Sequence, residues 1–384
     1  MKNSSRRGIF LSSGGVKGGY LVGYLTELHK KHHNLKYDYY SGISIGAIIA
    51  AYLKAHQQEK DYGLTKLTNQ ITTFNGKELT YPMYSNMFFR IMYTVFFNLS
   101  SFSPNDRLKQ KVMDNVHDRG DINSFKCLCD DSSTLMVGTQ DYNTGRYTMY
   151  TNNKNCSLDH LFHHEFEEIK LITKEKDMVN AVVSSAALFP VYEPVYIECE
   201  DTYAIDGGYK HCIPVTEIKY FIQSSIEKKI AEIECDILVC HPCCSFDNDK
   251  EQHAMQKHKN TSWVFLTETQ NIMHKTSYHT IERDIVELKD FIKNVLHVEY
   301  SIVENFGKNH FCVECVVGKT FIKICLYCIS KNNNHDVLDR YKKNNNVDLN
   351  DFDCECIKSM IDDGKGEVNK MYKVQKKFDK GLVF

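Results

Sequence analysis

A serine between two glycines is the residue whose surroundings most clearly predict chemistry in this chain. Residues 42–46 have Ser44 at their centre, with Gly42 and Gly46 two positions away on either side. The aromatic residues before them predict a short strand, and the Ala- and Ile-rich residues after them predict a helix. A Gly-x-Ser-x-Gly pattern at such a junction is typical of a nucleophile elbow, in which a strained turn lifts the hydroxyl clear of the sheet. The other interpretation is a turn of small residues that only packs the helix against the strand.

A glycine-rich loop follows the first predicted strand, which spans residues 8–12. The loop reads Ser13-Gly14-Gly15-Val16-Lys17-Gly18. A dinucleotide-binding loop is one interpretation, but Ser13 stands at the first glycine position and no acidic residue closes a second strand about 20 residues further on. The alternative is an oxyanion hole, in which backbone N–H groups of successive glycines face a carbonyl oxygen that becomes negative. Lys17 adds a positive charge suited to an anion or to fixing the loop.

A serine hydroxyl needs a base to take its proton before it can attack an ester. The chain has 17 histidines, and none stands in a context that marks it as this base, although His211 and His241 each follow a predicted strand. Asp206 is better placed because it ends a strand, and Gly207 and Gly208 after it let the backbone approach another segment closely. A plain Asp-Gly turn is the alternative interpretation.

These three features occur in the order found in patatin-like phospholipases, and the chain resembles that family over about residues 8–220. Residues 11–18 resemble the oxyanion loop of the family, and residues 41–47 resemble its nucleophile elbow. Residues 184–190 and 204–208 resemble the part that brings in the catalytic aspartate. The combination is specific to the family, although no single motif is.

The resemblance implies a Ser–Asp dyad without histidine. Ser44 would be the nucleophile and Asp206 the proton acceptor, while Gly14 and Gly15 would supply the oxyanion N–H groups. The supporting motif residues would be Val16, Lys17, Gly18, Gly42, Gly46, Gly207 and Gly208. An acyl chain would form an ester on Ser44, and water would then release a fatty acid. The family usually has three consecutive glycines in its loop, whereas this chain has Ser13 at the first of them.

Two functions from different classes follow from these residues. The first is a phospholipase A-like lipid acyl hydrolase that acts on phospholipids or other lipid esters through Ser44 and Asp206. The alternative is a catalytically weak lipid-binding or partner-docking protein of the same fold, which Ser13 favours. A nucleotide-binding protein, the third possibility, predicts tight NAD binding.

Composition and charge narrow the class of protein. The chain has 384 residues, of which 42% are hydrophobic and 25% charged, as in a globular protein. A net charge of −2 does not favour nucleic acid as a partner. The apolar residues 9–11 are too few for a signal peptide, and no run reaches the roughly 18–20 apolar residues of a membrane span. We therefore expect a cytoplasmic protein, with peripheral membrane contact through residues 81–102.

Within that segment, residues 87–97 are strongly apolar and aromatic. A buried helix is the first interpretation, because the stretch is too short to span a bilayer and contains an arginine. The second interpretation is a lid or interfacial segment beside a lipid site.

The alternation of short apolar strands with helices predicts an α/β fold with three layers, in which helices flank a mainly parallel central sheet. We expect residues 1–225 to form the catalytic domain and residues 226–384 to form an α/β extension packed on the same body. The predicted helices span residues 20–31, 179–187, 276–296 and 357–372, and another begins at Ser103-Pro104. The predicted strands span residues 134–140, 146–150, 192–197, 203–205 and 236–240, and a hairpin spans 311–330.

Cysteines give the chain its last candidate site. The 15 cysteines are expected to be mostly reduced thiols. The Cys-x-x-Cys pairs are Cys240 and Cys243, Cys312 and Cys315, and Cys325 and Cys328. The last two pairs lie on the two arms of the predicted hairpin, which is a plausible zinc-ribbon spacing. Free cysteine is also a common core residue, and we expect neither a metal nor a cofactor.

Overall fold

The computed structural model describes residues 4–32, 35–72, 104–116, 126–156, 167–189, 191–240, 264–294, 296, 310–329 and 357–368. The predicted membrane-contact segment 81–102, with its apolar stretch 87–97, lies outside these residues and stays a prediction. His241 and Cys243 lie outside them as well. None of the helices within the described residues has the length and apolar character needed to cross a bilayer.

A ten-stranded sheet forms the centre of the molecule, in the order β5-β4-β3-β2-β1-β8-β10-β9, with β7 pairing with β3 and β6 with β7. The strands are β1 (Ser5–Leu11), β2 (Tyr39–Ile43), β3 (Thr134–Asp141), β4 (Tyr147–Thr151), β5 (Glu167–Leu171), β6 (Val195–Ile197), β7 (Thr202–Asp206), β8 (Glu232–Val239), β9 (His310–Val317) and β10 (Thr320–Cys328). The pairs β1–β2, β2–β3, β1–β8, β8–β10 and β4–β5 are parallel. The sheet is therefore mainly parallel, as predicted.

Helices cover both faces of this sheet. They are α1 (Gly18–Lys31), α2 (Ile45–Ala55), α3 (Leu64–Thr72), α4 (Asp106–Val116), α5 (Lys126–Cys129), α6 (Glu175–Ser185), α7 (Val215–Glu227), α8 (Val264–Asn294) and α9 (357–368). Alternate residues of β1 point to opposite faces. Ile9 and Leu11 pack in one core with α1, α2 and α6, and Phe10 packs in a second core with α7 and α8. The predicted three-layer α/β fold is confirmed.

Strands after residue 225 continue the same sheet, because β8 pairs with β1 and β10 pairs with β8. The division of the chain into two domains at that residue stays a prediction. Most predicted elements are confirmed with shifted ends. The predicted strand 192–197 is shorter in the structure and begins at Val195, whereas the predicted strand 236–240 begins earlier, at Glu232.

The β9–β10 hairpin contradicts the zinc-ribbon interpretation of its cysteines. Cys312 and Cys325 face each other across the hairpin and form a disulfide. Cys315 pairs instead with Ile322, and Cys328, which is also disulfide-bonded, lies at the far end of β10. The two Cys-x-x-Cys pairs therefore do not converge on one point. Among the described cysteines eight are free thiols and these three are disulfide-bonded, which agrees with the expectation of mostly reduced thiols.

Candidate active site

The backbone of Ser44 forms a strained turn between β2 and α2. Its φ of 58° and ψ of −126° lie in a region that residues other than glycine seldom adopt. The Ser44 N–H donates a hydrogen bond of 2.8 Å to Ser185 Oγ. The Ser185 hydroxyl in turn donates one of 2.6 Å to the Gly138 carbonyl on β3. The end of α6 and the middle of β3 thus hold the turn in place.

The two glycines that flank the turn allow close contacts between backbone segments. A Cβ atom at Gly42 would lie 2.3 Å from the carbonyl carbon of Gly46. One at Gly46 would lie 2.4 Å from the carbonyl oxygen of Leu11, at the end of β1. These distances are too short for any side chain, which explains why the sequence has glycine at both positions.

Strand pairing brings Asp206 to Ser44. Strand β2 pairs with β3 as far as Gly138, and β7 then pairs antiparallel with β3 from Thr139, which lies opposite Asp206. The last residue of β7 therefore takes the place on the β3 ladder just beyond the end of β2, where Ser44 follows. The Ser44 hydroxyl donates a hydrogen bond of 2.8 Å to Asp206 Oδ2. The structure thus joins the two residues that the sequence singled out.

The Asp206 carboxyl is buried, with 5% of the residue exposed. Its Oδ1 accepts a hydrogen bond of 2.7 Å from the Gly208 N–H. No cation forms an ion pair with it within the described residues. Burial raises the pKa of Asp206 to about 7, against the hydrogen bonds from Gly208 and Ser44, which lower it. A carboxylate with a pKa near neutrality suits proton transfer at neutral pH.

The glycine-rich loop lies between β1 and α1 and is fixed at Ser13. The Ser13 N–H donates a hydrogen bond of 2.8 Å to the Cys212 carbonyl, and the Ser13 carbonyl accepts one of 3.1 Å from Cys240 Sγ. Gly14 is half-buried and Gly15 is exposed, with a φ of 56° that favours glycine. The loop is therefore anchored at its start and open to solvent at the two predicted oxyanion residues.

A short 3-10 helix, Gly15–Lys17, ends the loop. The Lys17 N–H donates a hydrogen bond of 3.1 Å to the Gly14 carbonyl. Burial lowers the pKa of Lys17. The side chain of Val16, a predicted motif residue, is not among those described.

The remaining motif glycines lie at close contacts. A Cβ at Gly18 would lie 2.3 Å from the Ile45 side chain, which follows Ser44. One at Gly207 would lie 2.5 Å from the Gly138 carbonyl oxygen, and one at Gly208 would lie 2.9 Å from the carboxyl of Asp206. The loop, the elbow and the Asp-Gly-Gly segment are thus packed directly against one another.

His211, to which the sequence gave little weight as a base, makes no hydrogen bond to Ser44 within the described residues. It pairs with the buried Asp284 of α8 through Nδ1, at 3.0 Å. The structure also gives roles to Ser185 and Asp284, to which the sequence analysis assigned none. Ser185 lies within residues 184–190, which the family resemblance includes, whereas no local pattern marks Asp284, because its partners Cys212 and Ile213 lie far away in the chain.

Aromatic side chains lie next to the Asp206 segment. The rings of Tyr142 and Phe189 are 5.4 Å apart, centre to centre, and the Tyr209 hydroxyl donates a hydrogen bond to the Phe189 carbonyl. Tyr142 and Tyr209 are both exposed. The surface beside the Asp206 segment is therefore aromatic.

A family model described as patatin-like phospholipase matches residues 9–218, which is more than half of the chain. No curated protein matches the sequence. The match contains the elbow, the glycine-rich loop and the Asp-Gly-Gly segment, and ends before α8.

Two solved structures are similar to the chain at low identity. VipD from Legionella pneumophila is 11% identical, with 97% of this chain and 67% of VipD covered and a TM-score of 0.36. Human GIVD cytosolic phospholipase A2, solved with methyl gamma-linolenyl fluorophosphonate and terbium chloride, is 9% identical. That comparison covers 97% of this chain and 60% of the human one, with a TM-score of 0.37. At this identity and TM-score the two structures carry no argument about the function of the chain.

Proposed function

The chain belongs to the patatin-like phospholipase family, and from this premise we propose that it is a phospholipase A-like lipid acyl hydrolase. It cleaves carboxylic ester bonds of phospholipids through a dyad of Ser44 and Asp206. The hydrogen bond of 2.8 Å between the Ser44 hydroxyl and Asp206 Oδ2 is the observation that carries this proposal. Family membership supplies the class of substrate, and the residues supply the chemistry of a serine esterase.

In the first half of the proposed reaction, Asp206 accepts the Ser44 proton while Oγ attacks the carbonyl carbon of the ester. The carbonyl oxygen becomes an oxyanion and faces the N–H groups of Gly14 and Gly15. The bond to the leaving oxygen then breaks, and that oxygen takes the proton from Asp206. The lysophospholipid departs, and the acyl group remains as an ester on Ser44.

In the second half, Asp206 accepts a proton from water as the water attacks the acyl ester. The resulting oxyanion uses the same N–H groups. When the intermediate collapses, Ser44 Oγ leaves and recovers a proton from Asp206. A fatty acid is released, and both residues return to their starting protonation states.

The environment of Asp206 supports its role as a base without histidine. Burial holds the pKa of Asp206 at about 7, so near neutral pH the carboxylate binds a proton more strongly than an exposed aspartate would. Its hydrogen bond from the Gly208 N–H leaves Oδ2 directed at Ser44. The strained backbone of Ser44 in turn fixes the direction of its hydroxyl.

One observation favours the alternative function, a catalytically weak lipid-binding or partner-docking protein. The Ser13 N–H is already donated to the Cys212 carbonyl. The N–H of Ser13, at the position where the family usually has a further glycine, is therefore not free to bind an oxyanion. For either function we also propose that the protein is cytoplasmic and contacts membranes at their surface.

The test is fatty-acid release from vesicles of a defined phosphatidylcholine by the native protein, Ser44→Ala and Asp206→Asn. We expect release by the native protein and a loss of about 10²–10⁴-fold in each variant. Ser41→Ala is the matched serine control, because the Ser41 hydroxyl is buried without a hydrogen-bond partner in the described structure. Asp201→Asn, in the exposed turn before β7, is the matched aspartate control. Release that survives Ser44→Ala and Asp206→Asn would refute the dyad, and vesicle binding without release by the native protein would favour the alternative.

A further inference from the structure

Asp284, on α8, is a fully buried carboxylate whose two oxygens accept four hydrogen bonds. Its Oδ2 accepts from the backbone N–H groups of Cys212 and Ile213, at 2.7 and 2.9 Å. Its Oδ1 accepts from His211 Nδ1 and from the Arg283 guanidinium, each at 3.0 Å. A carboxylate held by this many donors is fixed in direction, and it fixes the residues that donate to it.

The three residues that Asp284 holds, 211–213, contact both halves of the candidate active site. The carbonyl of Cys212 accepts the hydrogen bond of 2.8 Å from the Ser13 N–H, at the start of the glycine-rich loop. The N–H of His211 donates one of 3.1 Å to the carbonyl of Gly207, next to Asp206. The oxyanion loop and the Asp206 segment are thus linked to α8 through one short turn.

A positive charge on His211 strengthens its contact with Asp284. Burial lowers the pKa of His211, but its hydrogen bond to Asp284 and the nearby carboxylate of Glu167 overcome that effect and raise the pKa to about 9. His211 Nε2 lies 3.4 Å from Glu167 at the edge of the sheet, and its ring lies 4.9 Å from the ring of Tyr147. An imidazolium between two carboxylates therefore ties α8 to the sheet beside the turn.

A metal site is the competing interpretation of this cluster. Donor atoms of His211, Asp284 and Glu287 lie within 4.8 Å of one another. Glu287, however, forms an ion pair with Lys219, and the Asp284 oxygens already accept from two backbone N–H groups and from two side chains. The donors are thus used by protein cations and N–H groups, and the cluster is an ion-pair network.

We propose that Asp284 is a positioning residue for the Ser44–Asp206 reaction, acting through the turn 211–213 on the oxyanion loop. The inference rests on the proposed function. It assigns a part of the active site to a helix outside residues 9–218, which the family model matches. The oxyanion exists only during the reaction, so the loop stabilises the transition state and not the bound substrate. Loosening the turn 211–213 therefore weakens stabilisation of the transition state more than binding of the substrate.

The experiment compares Asp284→Leu, Asp284→Asn and the native protein on a soluble p-nitrophenyl acyl ester, and measures the rate of Ser44 labelling by a fluorophosphonate. Because a displacement of about 1 Å in a site can cost about 10²-fold in rate, we expect Asp284→Leu to lower kcat about 100-fold with KM nearly unchanged. The amide oxygen of Asp284→Asn can still accept from Cys212 and Ile213, so we expect this variant to recover to within about 10-fold of the native kcat.

The matched control is Asp236→Asn. Asp236 is also buried, but it accepts its hydrogen bond from Arg7 and makes none to the turn. We expect this variant to lose stability and to keep the native kcat at a temperature where it is folded. If Asp284→Leu fails to fold, Asp284→Asn decides, with an expected fall in kcat of about 5- to 10-fold at constant KM.

Three outcomes would overturn the inference. If folded Asp284→Leu or Asp284→Asn keeps the native kcat while the native protein still labels at Ser44, the inference about Asp284 is contradicted. The proposed function would then stand. An equal loss of kcat in Asp236→Asn would show that removing any buried charge lowers kcat through the stability of the fold, and not through the turn 211–213. Failure of the native protein to label or to hydrolyse the ester would contradict the proposed function, and the inference with it.

Discussion

Asp206 and Asp284 are two buried carboxylates with different partners, and the difference is the ground on which we propose different roles for them. The exposed fraction is 5% for Asp206 and 0% for Asp284. Asp206 accepts from one hydroxyl and one backbone N–H, and burial raises its pKa to about 7. Asp284 accepts from two backbone N–H groups, a histidine and an arginine. Burial alone does not decide what a carboxylate does. Among the described residues Asp206 has no cation beside it and hydrogen-bonds a serine, which fits the base that we propose, whereas the cations and N–H donors around Asp284 fit a positioning residue.

Two further buried carboxylates extend this comparison. Asp236 forms an ion pair with Arg7, as Asp284 does with Arg283. Burial raises the pKa of Glu217 to about 7, as it does for Asp206, and Glu217 accepts a hydrogen bond from the Tyr147 hydroxyl. A raised pKa therefore does not by itself mark a catalytic residue. What distinguishes Asp206 is the serine hydroxyl of a strained elbow at 2.8 Å.

Neutralising each of the two carboxylates in turn and measuring the free energy of unfolding tests the difference between Asp206 and Asp284. The folded-state pKa of Asp206 is above its usual 3.8, so the folded protein binds the proton more tightly and this group lowers stability as pH rises from about 4 to 7. At pH 8, Asp206→Asn removes an unfavourable buried charge, and we expect it to raise the free energy of unfolding by about 2 kcal/mol. Asp284→Asn removes a charge paired with cations, so we expect it to lower that free energy by about 3 kcal/mol.

Denaturant titrations of both variants at pH 5 and pH 8 provide the check. The gain in Asp206→Asn should shrink at pH 5, where the native Asp206 is largely protonated. Destabilisation by both substitutions at pH 8 would contradict the assignment of Asp206 as an unpaired base.

A smaller effect on stability and kcat is expected at Ser185, whose hydroxyl accepts the hydrogen bond from the Ser44 N–H. Ser185→Ala removes the acceptor of the Ser44 N–H, so we expect a loss of about 1–3 kcal/mol in stability and of about 10-fold in kcat. Ser184→Ala is the matched control, because the Ser184 hydroxyl donates only to the Ala181 carbonyl of its own helix. Ester hydrolysis by the two variants compares them directly, and equal activity would show that Ser185 does not hold the elbow in its active geometry.

Local sequence marked candidate residues and the class of fold, and the resemblance to a family joined those residues into one proposed site. Gly42 and Gly46 are required by contacts within a few residues and with the end of β1, so the elbow is visible as a pattern. Asp206 is recognisable because a predicted strand ends at it and two glycines follow it. The alternation of strands and helices likewise predicts the parallel sheet.

Contacts between distant segments were not predictable in the same way. The pairing of β7 with the end of β3 decides that Asp206 meets Ser44, and nothing in either strand specifies that register. The bonds from Asp284 to the turn 211–213 join residues more than 70 positions apart. The disulfide between Cys312 and Cys325 depends on hairpin register, which Cys-x-x-Cys spacing does not give.

The central claim is that Asp206 is the base for Ser44, and the pH dependence of fluorophosphonate labelling tests it most directly. The second-order labelling rate is measured from pH 5 to pH 9 for the native protein and Asp206→Asn, with the modified peptide mapped by mass spectrometry. We predict an adduct on Ser44, with a rate that rises about tenfold per pH unit below an apparent pKa of about 7 and levels off above it. In Asp206→Asn the rate should fall by about 10²–10⁴-fold at pH 8. Rapid labelling of Ser44 in that variant, or an adduct on another residue of the native protein, would contradict the account.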